Sequence, residues 1–381
     1  LNQLKILIMG EKWLYFINIL VSRFVNAGKA NFGAMSKSSD KVTSIIIVKW
    51  DEIGDMLTAV HVFELLKQNY PGVEITVLCK PSVSSLIQTD PNVDIIINDV
   101  DQWTKRYDLV VELRGTWKSV CKSLGWKTIP KYRVDRGWVR FQQRGKQPHE
   151  TITNYRIIES LLPHMVGEKK VEDLADLINK PKLFPSANDI VLAQDWVDWA
   201  LNDDLGIMEN VNGIAVLHTG ARSDLRRWSP NRFGELSKWL LDEKKLMPVW
   251  VGTMDEKEQI IESIALSGAG KVWISGETIP VSTSLLAFYA FIERSALYVG
   301  NESGPLQMAD IAGIPTVGIF GPGVPNVFYP RSTKSIVLHE VLSCNPCDQK
   351  ICVQPLDRCI DRISLTQVKL SVNHVLDQLN E

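Results

Sequence analysis

The chain has 381 residues, 45% hydrophobic and 23% charged, a balance that excludes a disordered, collagen-like or polytopic membrane protein. At about 100–200 residues per domain, two core-forming domains are expected. Its 42 basic and 44 acidic side chains leave a formal net charge of −2, which argues against a nucleic-acid binder. The charge is unevenly placed: Leu1–Ser39 carries net +4, Trp103–Gln147 carries net +9, and the remainder carries −15.

At the N-terminus, Lys12–Val25 (KWLYFINILVSRFV) is apolar but interrupted by Lys12, Asn18, Ser22 and Arg23. It falls short of the roughly 20 apolar residues that a spanning helix needs. Two readings of it are open. It is an interfacial helix on an anionic membrane surface, or an extra helix packed on the body of the protein or on a dimer partner. No small-residue cleavage site follows it, so a cytoplasmic location is expected. Under the first reading that location is peripheral, on the cytoplasmic face of the inner membrane. Residues 34–40 read as a polar linker.

Ser44–Lys49 (SIIIVK) is the β-branched run of a buried parallel strand. A Gly-containing turn at 51–55 leads to a helix expected over Met56–Asn69, stopped by Tyr70-Pro71-Gly72. Strands at Glu74–Cys79, Val93–Ile97 and Leu109–Leu113 alternate with helical stretches, which predicts a Rossmann-like parallel sheet. The polar stretch Pro163–Pro185 reads as an interdomain connection. A second α/β region follows, with a helix at Asn188–Leu201 and strands at Gly213–His218, Met247–Val251, Ala296–Gly300 and Pro315–Phe320. Helices at Asn231–Leu241, Asp255–Ser267, Ser284–Arg294 and Leu306–Ala312 separate them, and Asp361–Glu381 reads as a terminal helix. The expected fold is α/β with an N-terminal extension (1–40), two Rossmann-like domains (41–182 and 183–360) whose sheets face a central cleft, and a C-terminal helix (361–381).

Three segments carry chemistry. The first is Lys49-Trp50-Asp51-Glu52-Ile53-Gly54-Asp55, a strand end with three carboxylates. Asp55 either caps the next helix or takes a proton from an incoming hydroxyl. Gly54 lets the backbone approach a ligand, and Asp51, Gly54 and Arg114 are the candidate acceptor contacts. The second runs from Thr219-Gly220-Ala221 to Arg226-Arg227-Trp228. Its free N–H groups, the Thr219 hydroxyl and the arginines suit a diphosphate, although loop arginines are often simply solvated. The third, Asn301-Glu302-Ser303-Gly304-Pro305-Leu306-Gln307, is a strand, turn and helix start of the kind that meets an anion.

Together the three segments resemble glycosyltransferase family 9, the lipopolysaccharide heptosyltransferase type with a GT-B fold, from Thr43 to the C-terminus. The Asp-Glu-Ile-Gly-Asp opening is similar to the family's N-terminal signature, which implies that Asp55 is the catalytic base. Gly220-Ala221 and Arg226-Arg227-Trp228, with Ser229 before Pro230, are similar to the family's Gly-Ala turn and Lys/Arg-x-Trp-Pro, which implies that Arg226 holds the donor phosphates. The third segment resembles Asn-Asp-Ser/Thr-Gly-Pro-x-His, with Glu302 in place of Asp and Gln307 in place of His. At Ala287 a glutamate that contacts the nucleotide ribose is common in the family.

The resemblance implies an inverting transfer, without a divalent metal, of a sugar from a nucleotide diphosphate sugar to a lipopolysaccharide-core-like glycolipid, with heptose and ADP-heptose expected. Thr219, Gly220, Ala221, Arg226, Glu302, Ser303, Gly304, Pro305 and Gln307 are the donor-site candidates. The +9 segment would face the acceptor's anionic groups. A protein glycosyltransferase of the autotransporter-modifying type, or a non-catalytic sugar-nucleotide or glycolipid-binding relative, are the alternatives. Cys344, Cys347, Cys352 and Cys359 form C-x2-C-x4-C-x6-C, and a similar cluster occurs in many family members. They either hold a structural zinc or iron, pin a loop as reduced thiols, or form disulfides.

Overall fold

The computed structural model describes residues 16–17, 19–23, 42–143, 148–162, 181–202, 211–277, 284–323, 325–345, 347 and 350–378. The expected linker at 34–40 and most of the expected connection, 163–180, lie outside the described residues. The chain divides into two compact units, Leu1–Phe184 and Pro185–Glu381.

The first unit contains β1 (Ser44–Lys49), α1 (Ile53–Leu57), α2 (His61–Asn69), β2 (Glu74–Cys79), α3 (Pro81–Ser84), β3 (Ile95–Ile97), β4 (Leu109–Arg114), α4 (Trp117–Lys122), β5 (Tyr132–Asp135), α5 (Arg136–Gln143) and α6 (Glu150–Ile158). Its five strands are parallel in the order β3-β2-β1-β4-β5. Ile45, Ile46, Ile47 and Val48 of β1 are fully buried, as a strand covered on both faces requires.

The helix expected over Met56–Asn69 is interrupted. α1 ends at Leu57 with Thr58 at its C-cap, whose hydroxyl donates to the Asp55 carbonyl at 2.7 Å, and α2 starts afresh at His61. Asn154 of α6 clamps this joint, its Nδ2 donating to the Thr58 carbonyl (3.0 Å) and hydroxyl (3.1 Å). β5 was not expected, because Arg133 and Asp135 interrupt its apolar pattern. Both are buried there because Arg133 pairs with Glu112 of β4 (3.1 Å) and lies 3.8 Å from Asp135.

Residues 16–17 and 19–23 are helical. Val21 packs with Val120, Ile17 and Ile129, and the Ser22 hydroxyl accepts a bond from Arg133 Nη1 at 2.7 Å. One face of this segment is therefore packed on the body, while Phe16 and Leu20 are exposed. Among the described residues no helix is long and apolar enough to cross a membrane.

The second unit contains α7 (Ala187–Leu201), β6 (Ile214–His218), α8 (Pro230–Asp242), β7 (Met247–Gly252), α9 (Lys257–Ser267), β8 (Lys271–Ile274), α10 (Leu285–Glu293), β9 (Leu297–Asn301), α11 (Gly304–Ala312), β10 (Thr316–Phe320), α12 (Pro325–Phe328), β11 (Ser335–His339) and α13 (Leu365–Asp377). Six parallel strands follow the order β11-β10-β9-β6-β7-β8. Trp228, Phe233 and Trp250 form an edge-to-face series in its core, with centroids 5.0 and 6.5 Å apart. Val368, Val372 and Val375 of α13 join that core. The α13 start is fixed by a capping box between Ser364 and Gln367.

Each sheet has one place where the strand order reverses: between β1 and β4 in the first unit, and between β6 and β9 in the second. In open parallel sheets, the loops leaving the carboxyl ends of the strands at such a point form a crevice suited to ligands. The three chemistry-bearing segments leave β1, β6 and β9.

Candidate active site

In the first unit the β1 loop is set by charge. Lys49, fully buried at the strand end, places Nζ 2.9 Å from Asp51 Oδ2. Arg114, at the end of the adjacent β4, places Nε 3.0 Å from Asp51 Oδ1. Lys49 and Arg114 are register partners across β1 and β4, so the two cations and the carboxylate between them lie at the sheet's switch point. Of the acceptor candidates, Asp51 and Arg114 are thus joined directly, and Gly54 lies in α1 beside them.

Asp55 does not cap its helix. The N-cap position of α1 belongs to Glu52, no side chain caps the helix, and Asp55 stands in the first turn. Asp55 is partly exposed, and its carboxylate makes no side-chain hydrogen bond or ion pair among the described residues. Burial pushes its pKa up, the Asp51 carboxylate adds to this, and Lys49 and Arg114 oppose it. An open carboxyl group with a raised pKa is what proton abstraction near neutrality asks for.

The basic segment is not a uniformly positive face. Arg133 is spent on Glu112, Arg136 and Arg140 on the buried Glu150 of α6, Lys131 on Asp108 at 2.9 Å, and Lys105 on Glu74. Residues 144–147 lie outside the described residues. The expectation that the whole +9 run meets an anionic acceptor therefore narrows, at the switch point, to Arg114.

In the second unit the geometry is set by neutral hydrogen bonds. The buried Asn301 side chain accepts from the Trp228 backbone N–H (3.1 Å) through Oδ1 and donates from Nδ2 to the Thr219 carbonyl (2.7 Å). Gln259 Nε2 donates to the same carbonyl at 3.2 Å. Arg227 donates to the Ala221 carbonyl from Nε (3.3 Å) and Nη2 (3.1 Å), so it buttresses the turn. Arg226 instead reaches across to β9, its Nη1 lying 3.3 Å from Glu302 Oε1.

Two polar atoms in this turn are buried with no hydrogen-bond partner among the described residues, Thr219 Oγ1 and Glu302 Oε2. Orphaned buried polar atoms are costly and accumulate where a ligand completes them. Burial raises the Glu302 pKa, against the pull of Arg226. Gly323 lies close opposite, where a Cβ would stand 2.5 Å from Glu302 Oε2 and displace that carboxylate. Ser303 is the N-cap residue of α11 with its hydroxyl turned away from the helix, 3.2 Å from His218 Nδ1, and Pro305 fills the first turn. The first N–H groups of α11 therefore have no side-chain cap.

Gln307 does not join this group: its Nε2 donates to the Phe328 carbonyl of α12 at 2.5 Å. Ala287 is fully buried in α10. A carboxylate that sequence reasoning missed stands in the turn itself. Glu256 presses against Gly220, where a Cβ would fall 1.6 Å from Oε1, and its Oε2 lies 3.5 Å from His218 Nε2 and accepts the Thr253 N–H at 3.0 Å. Burial would raise its pKa, but His218 and Thr253 hold it down at about 2. Glu256 lies in a 3-10 turn (Met254–Glu256) after β7, outside any recognisable motif.

The six cysteines are all free thiols. Cys344, Cys347, Cys352 and Cys359 line one cavity of about 150 Å³ with Leu225, Pro322 and Arg358. Burial raises the Cys359 thiol pKa, and Cys344 and Cys347 nearby add to the rise. The donor set suits a tetrahedral metal, but among the described residues no group of three or more His, Cys, Asp or Glu is closed on one point. The thiols as placed do not fit a bound ion.

Residues 103–356 match the family model for glycosyltransferase family 9 (heptosyltransferase). The lipopolysaccharide core heptosyltransferase OpsX of Haemophilus influenzae is 22% identical over 297 residues, covering 73% of this chain and 78% of that one. Among solved structures, a family 9 glycosyl transferase from Veillonella parvula superposes with a TM-score of 0.68 at 16% identity, covering 89% and 99% of the two chains. The Escherichia coli ADP-heptose lipopolysaccharide heptosyltransferase II gives a TM-score of 0.65 at 19% identity, covering 89% and 100%.

Proposed function

The chain belongs to glycosyltransferase family 9 as a heptosyltransferase-type glycosyltransferase, and we propose that it transfers heptose from ADP-heptose to a lipopolysaccharide-core-like glycolipid with inversion. The observation that carries this reading is the second unit's switch point, where Thr219 Oγ1, Glu302 Oε2, the uncapped α11 N–H groups and Arg226 gather around a turn with no bulk at Gly220. Such a turn is suited to a diphosphate. Glu256 stands beside Gly220, engaged by His218 and Thr253, and supplies a carboxylate next to the phosphate turn.

In the proposed reaction Asp55 takes the proton of the acceptor hydroxyl, and the oxygen forms a bond to the anomeric carbon. The bond from that carbon to the diphosphate breaks on the opposite face, which inverts the configuration. The departing negative charge is met by Arg226 and the α11 N–H groups, which is the main electrostatic task of the site. Glu302, whose pKa is raised by burial against the pull of Arg226, positions that guanidinium at the turn. Arg114 and Asp51 orient the acceptor, which is held at a membrane surface by its own lipid. With these groups in place the reaction is proposed to need no divalent metal and no cofactor, and the cysteines serve only to shape their loop.

The test is ADP release from ADP-heptose with a lipid A–inner-core acceptor, in the presence and absence of EDTA, alongside a thermal-shift series of nucleoside diphosphates. Stabilisation by ADP above other diphosphates, with EDTA-insensitive turnover, is expected. Binding without release on any core acceptor would sink the transfer reading.

A further inference from the structure

Of the basic segment's cations, Lys118, Lys122 and Lys127 keep no carboxylate partner among the described residues, in contrast to Lys105, Lys131, Arg133, Arg136 and Arg140. They lie on α4 and the turn after it, where residues 115–131 contain four lysines and no Asp or Glu. The same stretch exposes Trp117, Leu124 and Trp126, the last 84% accessible with Lys127 Nζ 4.8 Å from its ring centre. Large apolar side chains gathered on a surface mark a contact site.

The N-terminal helical segment extends this surface. Ile17 and Val21 pack with Val120 of α4 and with Ile129, so the segment touches α4. Leu20 of the same segment is exposed.

We propose that Leu20, Trp117, Leu124 and Trp126 with Lys118, Lys122 and Lys127 form a docking surface for an anionic lipid bilayer. Charge decides the occupant. Ammonium groups on long stems reach anionic headgroups while their methylenes stay in the interface, and indoles settle at headgroup depth. A second copy of the chain would bring the same lysines face to face across a two-fold axis, which repels. The inference rests on the glycolipid-acceptor reading only for its purpose, because an acyl-anchored acceptor is presented at such a bilayer.

Co-sedimentation of the purified chain with vesicles of phosphatidylcholine, with and without phosphatidylglycerol, tests it. Pelleting with the anionic vesicles alone is expected. The combined variant Lys118→Gln, Lys122→Gln, Lys127→Gln should weaken partitioning on the order of a hundredfold, about fivefold for each lysine, and Leu124→Ser with Trp126→Ser should weaken it as well. Wild-type protein that stays in solution with anionic vesicles, or variants that pellet as wild type does, would overturn the proposal. So would a Trp126→Ser variant that disperses an oligomer in ultracentrifugation and leaves vesicle binding untouched. ADP release on a delipidated acceptor separates this test from the transfer reading. The Leu124/Trp126 variant should match wild type there, and no release from either protein counts against transfer while the vesicle result stands.

Discussion

The two switch-point loops hold equivalent places in their sheets and are fixed by opposite means. In the first unit, Lys49, Asp51 and Arg114 lock the β1 loop through ion pairs at 2.9 and 3.0 Å. In the second, one neutral side chain, Asn301, ties the β6 turn to the segment before α8. A loop locked by ions carries a permanent field, and that field together with burial sets the proton affinity of Asp55. An amide lock adds no charge, so the field at the second loop comes from neighbours such as Arg226, Glu302 and Glu256, and the turn's N–H groups and the Thr219 hydroxyl are left to an incoming anion. The difference teaches that the fold supplies the place, and the type of bond that holds the loop selects between proton chemistry and phosphate binding.

The comparison breaks most sharply at Asp55. Asp55→Asn should lower kcat by about 10²–10⁴-fold while the ADP-induced thermal shift of the second unit stays at its wild-type value; loss of both signals would mean that the loops do not divide the work. Next in size is Arg226→Ala, for which donor kcat/KM should fall about 10²-fold or more and the ADP shift should vanish. A shift that survives would place the phosphates elsewhere. Asn301→Ala removes two hydrogen bonds at the lock of the second loop and should cost about 1–3 kcal/mol in urea unfolding, with weaker donor binding as a consequence. The unchanged stability of this variant would show that the amide is not the lock.

The smallest effect is electrostatic and sharpens the first loop. Burial first, and the Asp51 carboxylate after it, raise the Asp55 pKa, so the acid limb of kcat/KM should lie above that of an ordinary aspartate. In Asp51→Asn it should move to lower pH, because the ionised base then persists further into acid. A limb that stays in place, or moves upward, would remove Asp51 from the field of the base.

Much of this was legible in the sequence wherever one force dominated. The β-branched run of β1 and the short apolar runs of β4, β6, β9 and β10, each bounded by turn residues, read as buried parallel strands, and the loops that leave β1, β6 and β9 follow from them. β5 was hidden because two of its four residues are charged, and only the partners supplied by β4 let them be buried. β8 and β11 are short edge strands, each with partly exposed residues, and their apolar runs span only three residues each, 272–274 and 336–338. The break at Thr58 depends on Asn154, about a hundred positions away in the chain, which no local pattern reports. Glu256 was out of reach for the same reason: its place beside Gly220 comes from the pairing of β6 with β7. Asp55 was the reverse case, where a local rule favoured a cap and the backbone gave that position to Glu52.

The bond between Asn301 and the Thr219 carbonyl also bears on how such an enzyme changes over generations. Because the turn is held from β9, and Arg227 braces it through a carbonyl while pairing with Asp224, the exposed side chain of Arg222 is under no obligation to hold the turn's shape. Drift there can remodel what the donor's sugar meets while the phosphate seat is inherited intact, so new donor preferences are open to point mutation without a detour through an unfolded or inactive ancestor.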